Sequence, residues 1–241
     1  MEKKKTAVVT GASQGLGAEL VKSFLKRGYN VVANSRHISE SKAFEKSDQI
    51  ELVDGDIGQF DTAKRILSAA LKRFGSIDAL VNNAGIFFPK PFIEYTQEDF
   101  KRLLSTNVEG FLYITQLAIM QMLEQGTGGS VVSITTSMAE HPIAGMPAAV
   151  PMITKGGLNS ISLSLAMEYA KEGIRVNVVA PGIMDTPMHK NNPKDFLKTL
   201  SPMGTISDPK ELAEAVLFLT ESSTITGEIL HVDGGSHLGR W

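Results

Sequence analysis

The sequence predicts a doubly wound α/β fold, with a seven-stranded parallel sheet and helices on both faces. Short apolar or β-branched runs alternate with amphipathic stretches from end to end. Parallel strands need long, usually helical, crossovers between them, and the stretches between these runs have that length. A glycine-rich turn follows the first run and opens a helix-like stretch. The 241 residues suit one such domain, so we expect a single dinucleotide-binding domain over residues 1–241.

The predicted elements alternate strictly along the chain. The strand-like runs are Thr6–Thr10, Val31–Ala33, Ile50–Val53, Ala79–Asn82, Val131–Ile134, Arg175–Ala180 and Ile229–Val232. Apolar residues recur at helical spacing from Leu16 to Leu25, and further helix-like segments lie near residues 39–46, 61–74, 97–124, 154–172 and 209–220. The long irregular region at about 182–207 follows a strand end, where such sheets bind ligands, and is predicted to be a substrate lid.

Bulk composition narrows the function class. The net charge of −2 gives no basic excess for nucleic acid, and no apolar run is long enough for a membrane span. No signal peptide is evident, and the chain has no cysteine, which excludes disulfides, thiolate zinc sites and a cysteine nucleophile. We therefore expect a cytoplasmic protein that acts on a small molecule and holds no metal.

The stretch from Thr10 to Gly17 reads Thr-Gly-Ala-Ser-Gln-Gly-Leu-Gly and joins the first strand to the first helix. Glycines at positions 11, 15 and 17 let the backbone turn tightly and approach a pyrophosphate, and the amides at the helix start provide an anion site. This context predicts a Rossmann-type dinucleotide site.

The end of the second strand predicts which dinucleotide binds. An acidic residue there would hold the adenosine ribose and repel a 2′-phosphate, but the chain has Ser35 and Arg36. Ser13, in the glycine loop, offers a further hydroxyl to the phosphate. These residues favour NADP (as NADPH) over NAD.

With these motifs the chain resembles the short-chain dehydrogenase/reductase family over essentially its whole length. The matching stretches are Thr10–Gly17, Asp56 with Ile57, Asn82–Gly85, Asn107, Lys155, and Ala180–Ile183 with Thr186. The resemblance implies that the cofactor contacts Gly11, Ser13, Gly15, Leu16, Gly17, Ser35, Arg36, Asp56, Ile57, Asn83, Ala84, Gly85, Lys155, Pro181, Gly182, Ile183 and Thr186.

The resemblance also implies hydride transfer between nicotinamide and a carbonyl or alcohol. In the family a serine binds the substrate oxygen and a tyrosine transfers the proton. A lysine holds the nicotinamide ribose and lowers the pKa of the tyrosine, and an asparagine supports a water relay. Lys155 and Asn107 match the lysine and the asparagine. The tyrosine position, four residues before the lysine, is occupied by Pro151, which has no proton to give.

Several residues are candidates for the remaining roles. Ser137, 14 residues before position 151, matches the family's serine, with Thr136 as the alternative. His141 follows on the loop that borders the substrate pocket, and its ordinary pKa suits acid–base work, so it is the first candidate for the missing acid. Glu140 and Tyr95 are weaker alternatives.

For the other histidines and methionines near the predicted site, the sequence predicts less specific roles. His231 lies in the last strand and is expected in the core or an interface. His189, Met184 and Met188 lie in the predicted lid, where the methionines are expected to line an apolar substrate pocket rather than bind metal.

These observations favour an NADP(H)-dependent oxidoreductase that acts on a carbonyl, imine or quinone-like acceptor without the tyrosine. An iminium carbon needs no proton donor, whereas a ketone leaves an alkoxide that does. The alternatives are an NADP-binding regulator or partner subunit without activity, and a non-redox enzyme on the same scaffold.

The expected assembly also follows from the resemblance. It implies a homotetramer, or a homodimer, built through the long helices at 107–123 and 154–171. The chain ends on its one tryptophan, Trp241, which is expected to be buried against a neighbour or across its own pocket.

Overall fold

The computed structural model describes residues 4–45, 47–184 and 193–239. Seven parallel strands form one sheet in the order β3-β2-β1-β4-β5-β6-β7. The strands are β1 (Thr6–Thr10), β2 (Asn30–Ser35), β3 (Ile50–Asp54), β4 (Ala79–Asn82), β5 (Gly129–Ile134), β6 (Ile174–Pro181) and β7 (Ile229–Val232). The prediction of a doubly wound, seven-stranded parallel sheet is confirmed.

Helices connect the strands on both faces of the sheet. They are α1 (Gly15–Lys26), α2 (Phe60–Phe74), α3 (Gln97–Leu103), α4 (Gly110–Gln125), α5 (Ala149–Glu168), α6 (Lys194–Lys198) and α7 (Pro209–Glu221). The long helix predicted over 97–124 is divided into α3 and α4 by a π-helical turn over Leu104–Glu109.

One predicted helix is wrong. The described residues between β2 and β3 form turns rather than a helix near 39–46. Ser39 bonds the carboxylate of Asp54 at the end of β3 through both its backbone N–H and its hydroxyl. Such side-chain bonds give the backbone an alternative to helical bonding, and here they hold the connection as a folded loop.

The core is divided by the sheet into two apolar clusters. On one face α1 and α7 cover the sheet, with Leu20, Phe24 and Leu217 buried. On the other face α2 and α4 supply Ile66 and Ile114, which are also buried. Strands buried on both faces have continuous apolar sequences, which explains why short apolar runs predicted them well. Within the described residues no helix is both long and apolar enough to span a membrane.

The sheet order places the ligand-binding edge. The chain winds outward from β1 in one direction to β2 and β3, and in the other direction through β4. This reversal between β1 and β4 leaves a crevice at the carboxyl ends of the strands, where doubly wound sheets bind ligands.

Candidate cofactor and active site

A cavity of about 680 Å³ runs along the carboxyl ends of β1 to β6. It is lined by the glycine loop after β1 and by the loops that follow the other five strands. Every predicted cofactor-binding residue that the structure describes lines this cavity. Thr186 lies outside the described residues.

The glycine loop is packed so tightly that side chains do not fit. A Cβ on Gly17 would lie 2.2 Å from the carbonyl oxygen of Gly11, and a Cβ on Gly11 would lie 2.8 Å from the Cα of Ala84. Gly11 and Gly15 also have positive φ angles, of 66° and 54°. Gln14 begins α1 without a side-chain cap, so the first amides of the helix face the cavity as donors for an anion.

The loop after β4 is fastened to the glycine loop. The hydroxyl of Thr10 accepts from the backbone N–H groups of Asn83 and Ala84, both at 3.1 Å. The side-chain amide of Asn83 donates in return to the carbonyls of Thr10 and Gly11, at 2.9 and 3.1 Å. The two loops therefore form one unit at the switch point of the sheet.

The loops after β2 and β3 supply the polar end of the cavity. Ser35, Arg36 and Asp56 line it as predicted, and His37 lies beside them. Sequence reasoning did not single out His37, although it follows Arg36 directly and its cavity-lining position follows from the same strand end. Together with the tight glycine loop and its free amides, this donor set fits the phosphates and adenosine of a dinucleotide.

Lys155 is the titratable residue at the other end of the cavity. Its Nζ is buried and donates to the carbonyl oxygen of Ile134, the last residue of β5, at 2.9 Å. Burial lowers the pKa of Lys155 to about 8. A Cβ on Gly85 would lie 3.0 Å from Nζ, so the loop after β4 lies close to the ammonium.

Pro151 lies one turn before Lys155 on α5, and its side chain is buried. It is the third residue of the helix, where a missing N–H costs no internal hydrogen bond. Its carbonyl accepts from the hydroxyl of Thr154 at 2.8 Å. None of the four tyrosines lines the cavity.

Asn107 is buried in the π-helical turn, away from the main cavity. Its amide nitrogen donates to the Ile86 carbonyl and to the Thr154 hydroxyl, both at 3.0 Å, and its oxygen accepts from the Ile86 N–H at 2.8 Å. Asn107 thus joins the loop after β4 to Thr154, which directly precedes Lys155 on α5.

The two hydroxyl candidates after β5 are separated by the fold. Thr136 lines the cavity, together with Thr135, whereas Ser137 is buried and does not. The Thr136 hydroxyl also accepts from the Met138 N–H at 3.3 Å, at the start of a short 3₁₀ turn. The hydroxyl of Thr135 is buried without a hydrogen-bond partner. The geometry therefore favours Thr136, the alternative, over Ser137.

The candidate replacement acids lie elsewhere. His141 is exposed and does not line the cavity, and its ring is 6.2 Å from that of His237. His237 stacks on the half-buried His231 at 4.1 Å. Glu140 lies 3.2 Å from His231 Nε2, so it faces this histidine group rather than the cavity.

Tyr95 is held by the backbone. Its hydroxyl donates to the Phe88 carbonyl at 2.7 Å and accepts from the Lys90 N–H at 3.1 Å. Both uses fix the loop on which the tyrosine lies. Across the described residues no three His, Asp or Glu side chains are arranged to hold a metal ion.

The cavity beyond Lys155 is apolar. Its lining residues there come from the loops after β4, β5 and β6 and from α6 with the turn after it: Ile86, Phe87, Pro89, Met138, Met146, Met184, Phe196, Leu197 and Leu200. Met184 lies in the predicted lid and lines the cavity as expected. Met188 and His189 are outside the described residues.

Comparison with known proteins identifies the family. The model of a family described as "Enoyl-(Acyl carrier protein) reductase" matches residues 11–237. Carbonyl reductase family member 4 of Xenopus tropicalis is 36% identical over 235 residues, covering 97% of this chain and 98% of that protein. The chain belongs to the short-chain dehydrogenase/reductase family.

Further relatives and solved structures agree over the full length. A 3α-hydroxysteroid dehydrogenase of Mediterraneibacter gnavus is 36% identical over 249 residues, covering 98% of each chain. The structure of 3-ketoacyl-(acyl-carrier-protein) reductase from Brucella melitensis complexed with NADH has a TM-score of 0.90 and 33% identity, covering 97% of this chain and 98% of that one. ElxO with NADP bound has a TM-score of 0.89 and 28% identity, with the same coverage. The chain is thus an oxidoreductase of this family, with its substrate unassigned.

Proposed function

We propose that the protein is an NADP(H)-dependent reductase that acts on a carbonyl, imine or quinone-like acceptor without a tyrosine at position 151. The observation that carries this proposal is one continuous cavity, which is lined by the glycine loop, by Lys155 and by a set of apolar side chains. A dinucleotide along the polar part would place its reactive end beside Lys155 and Thr136. Bound there, the nicotinamide would supply a hydride.

The preference for NADP rests on the loop after β2. Ser35, Arg36 and His37 line the cavity, and Arg36 is exposed. No ion pair of Arg36 with an Asp or Glu is found in the described part of the chain. A guanidinium with free donors is suited to bidentate binding of a phosphate. Ser13 also lines the cavity.

The proposed tyrosine-independent chemistry rests on Pro151. With a buried proline one turn before Lys155, the polar side chains that line the cavity near this position include those of Thr135, Thr136 and Lys155. Thr136 would donate to the substrate oxygen or nitrogen and Lys155 would hold the nicotinamide ribose. Activated acceptors such as iminium ions and quinones make the smallest demand on a proton donor.

The proposed lid over about 182–207 and the proposed homotetramer or homodimer rest on apolar side chains. Phe196, Leu197 and Leu200 line the apolar part of the cavity from within the lid range.

Met120 on α4, and Ile153 and Met167 on α5, leave 64%, 55% and 82% of their surface exposed. An apolar face of this kind favours burial against a second copy.

The experiment is a turnover assay with purified protein, NADPH and separate panels of ketones, quinones and cyclic iminium ions, following loss of NADPH absorbance. Turnover with at least one panel, and weaker turnover with NADH, is expected. Tight NADPH binding without turnover on any panel would refute the reductase and favour the regulator or partner subunit. Equal use of NADH would refute the argument from Arg36.

A further inference from the structure

The cavity contains one candidate general acid to which the proposed function gives only a binding role. Its described lining includes four titratable side chains, which are those of Arg36, His37, Asp56 and Lys155. The first three lie on the loops after β2 and β3, at the far end of the sheet from β5. Of the four, only Lys155 lies near Pro151, which occupies the position of the family's tyrosine.

The surroundings of Lys155 leave most of its donor capacity free. A lysine ammonium has three N–H donors, and the Ile134 carbonyl accepts one of them. No Asp or Glu in the described part of the chain forms an ion pair with Lys155. Two N–H groups therefore remain for a ligand in the cavity, and Gly85 lies close to them.

An acidic residue that contacts this part of α5 is bonded to partners other than Lys155. Asn159, which lies one turn after Lys155 on α5, donates to Glu140 at 3.3 Å, and the other carboxylate oxygen of Glu140 faces His231. Asn107, behind the site, is neutral. Burial alone lowers the pKa of Lys155 to about 8, and an acid with a pKa near the working pH is the efficient kind.

Resting on the proposed function, we infer that Lys155 is the general acid of this enzyme and protonates the oxygen of a ketone directly. When bound, the reduced nicotinamide would supply a hydride to the carbonyl carbon, so that the electron pair of the C=O bond would move to oxygen. The role of Lys155 is to give that oxygen a proton from Nζ. Lys155 is left as a neutral amine and regains its proton from solvent. Thr136 supports the oxygen with a hydrogen bond.

Two substrates that differ in their need for a proton should respond to pH in opposite directions. Alpha-tetralone is a neutral bicyclic ketone, and N-methyl-dihydroisoquinolinium is a bicyclic cation of similar shape that is reduced without a proton and cannot lose its charge. As pH rises through the Lys155 pKa, ketone reduction should fall because the acid is lost. Iminium reduction should rise, because the repulsion between two cations disappears.

Lys155→Arg tests the assignment, because arginine keeps the charge but does not release its proton. We expect the ratio of ketone to iminium turnover to fall by about 100-fold, within the range for one general acid. The falling limb of the ketone profile should also vanish. Lys26→Arg, at an exposed position outside the cavity, is the matched control and should leave the ratio unchanged. An unchanged ratio in Lys155→Arg, or parallel pH profiles for the two substrates, would overturn the inference.

A second measurement does not depend on turnover. Para-nitrophenol, whose ionised form is coloured, mimics the oxyanion and is titrated against the protein with NADP⁺. Wild type should bind it ionised at a pH where the free probe is largely neutral. Lys155→Met should lose this effect, and Lys26→Ala, which removes an exposed cation, should retain it. If ionised binding is absent in wild type or survives in Lys155→Met, the inference fails. If it depends on Lys155 while no substrate turns over, the proposed reductase fails and the inference about the donor stands.

Discussion

Replacing Lys155 with methionine should stabilise the ligand-free protein at neutral pH. The pKa of Lys155 lies at about 8 in the folded chain, against 10.5 ordinarily. At roughly 1.4 kcal/mol per unit this displacement corresponds to about 3 kcal/mol of destabilisation. Methionine has a similar shape. The substitution leaves the Ile134 carbonyl without a donor, which lowers the free energy of unfolding by about 1 kcal/mol. The net expectation for Lys155→Met is a free energy of unfolding about 2 kcal/mol higher than that of wild type.

The pH dependence gives this prediction its sign. Below a pH of about 8 the folded and unfolded chains both carry the proton, so the whole cost of burying the charge is present. Between about 8 and 10.5 the unfolded chain binds more protons, so wild-type stability rises relative to the variant. Urea unfolding followed by circular dichroism, at about pH 7 and about pH 10, measures both values. Lys26→Met, at an exposed position, should match wild type at each pH. A less stable Lys155→Met at neutral pH, or a difference that does not shrink with pH, would refute the reasoning.

Three further predictions concern the cofactor site and the assembly. Gly17→Ala places a Cβ 2.2 Å from the Gly11 oxygen and should weaken NADPH binding at least about tenfold by fluorescence titration; unchanged affinity would contradict the tight loop. Arg36→Ala should weaken NADPH binding about ten- to hundredfold and NADH binding little, whereas Lys26→Ala should affect neither; equal losses for both cofactors would contradict the role of Arg36. Met167→Glu, on the exposed face of α5, should shift the protein to smaller species by sedimentation velocity, and an unchanged distribution would place the interface elsewhere.

The strands could be predicted because burial on both faces gives short apolar runs in the sequence, and their alternation with helix-like stretches predicted the parallel sheet. The connection after β2 could not, because the bonds of Ser39 to Asp54 join residues 15 positions apart. The choice between Thr136 and Ser137 depended on how the backbone turns after β5, which counting back from Pro151 does not determine. His37 was within reach of the strand-end argument that found Arg36.

The bond from Lys155 to Ile134 has a consequence for how this site tolerates sequence change. The acceptor is a main-chain carbonyl, and no substitution at position 134 removes it. Residue 151 takes no part in the contact. A charge that is bonded to the polypeptide backbone keeps its partner when the side chain at the partner position changes. The same anchor would serve an ancestor or a descendant with an acid at position 151 as well as this chain, which has none.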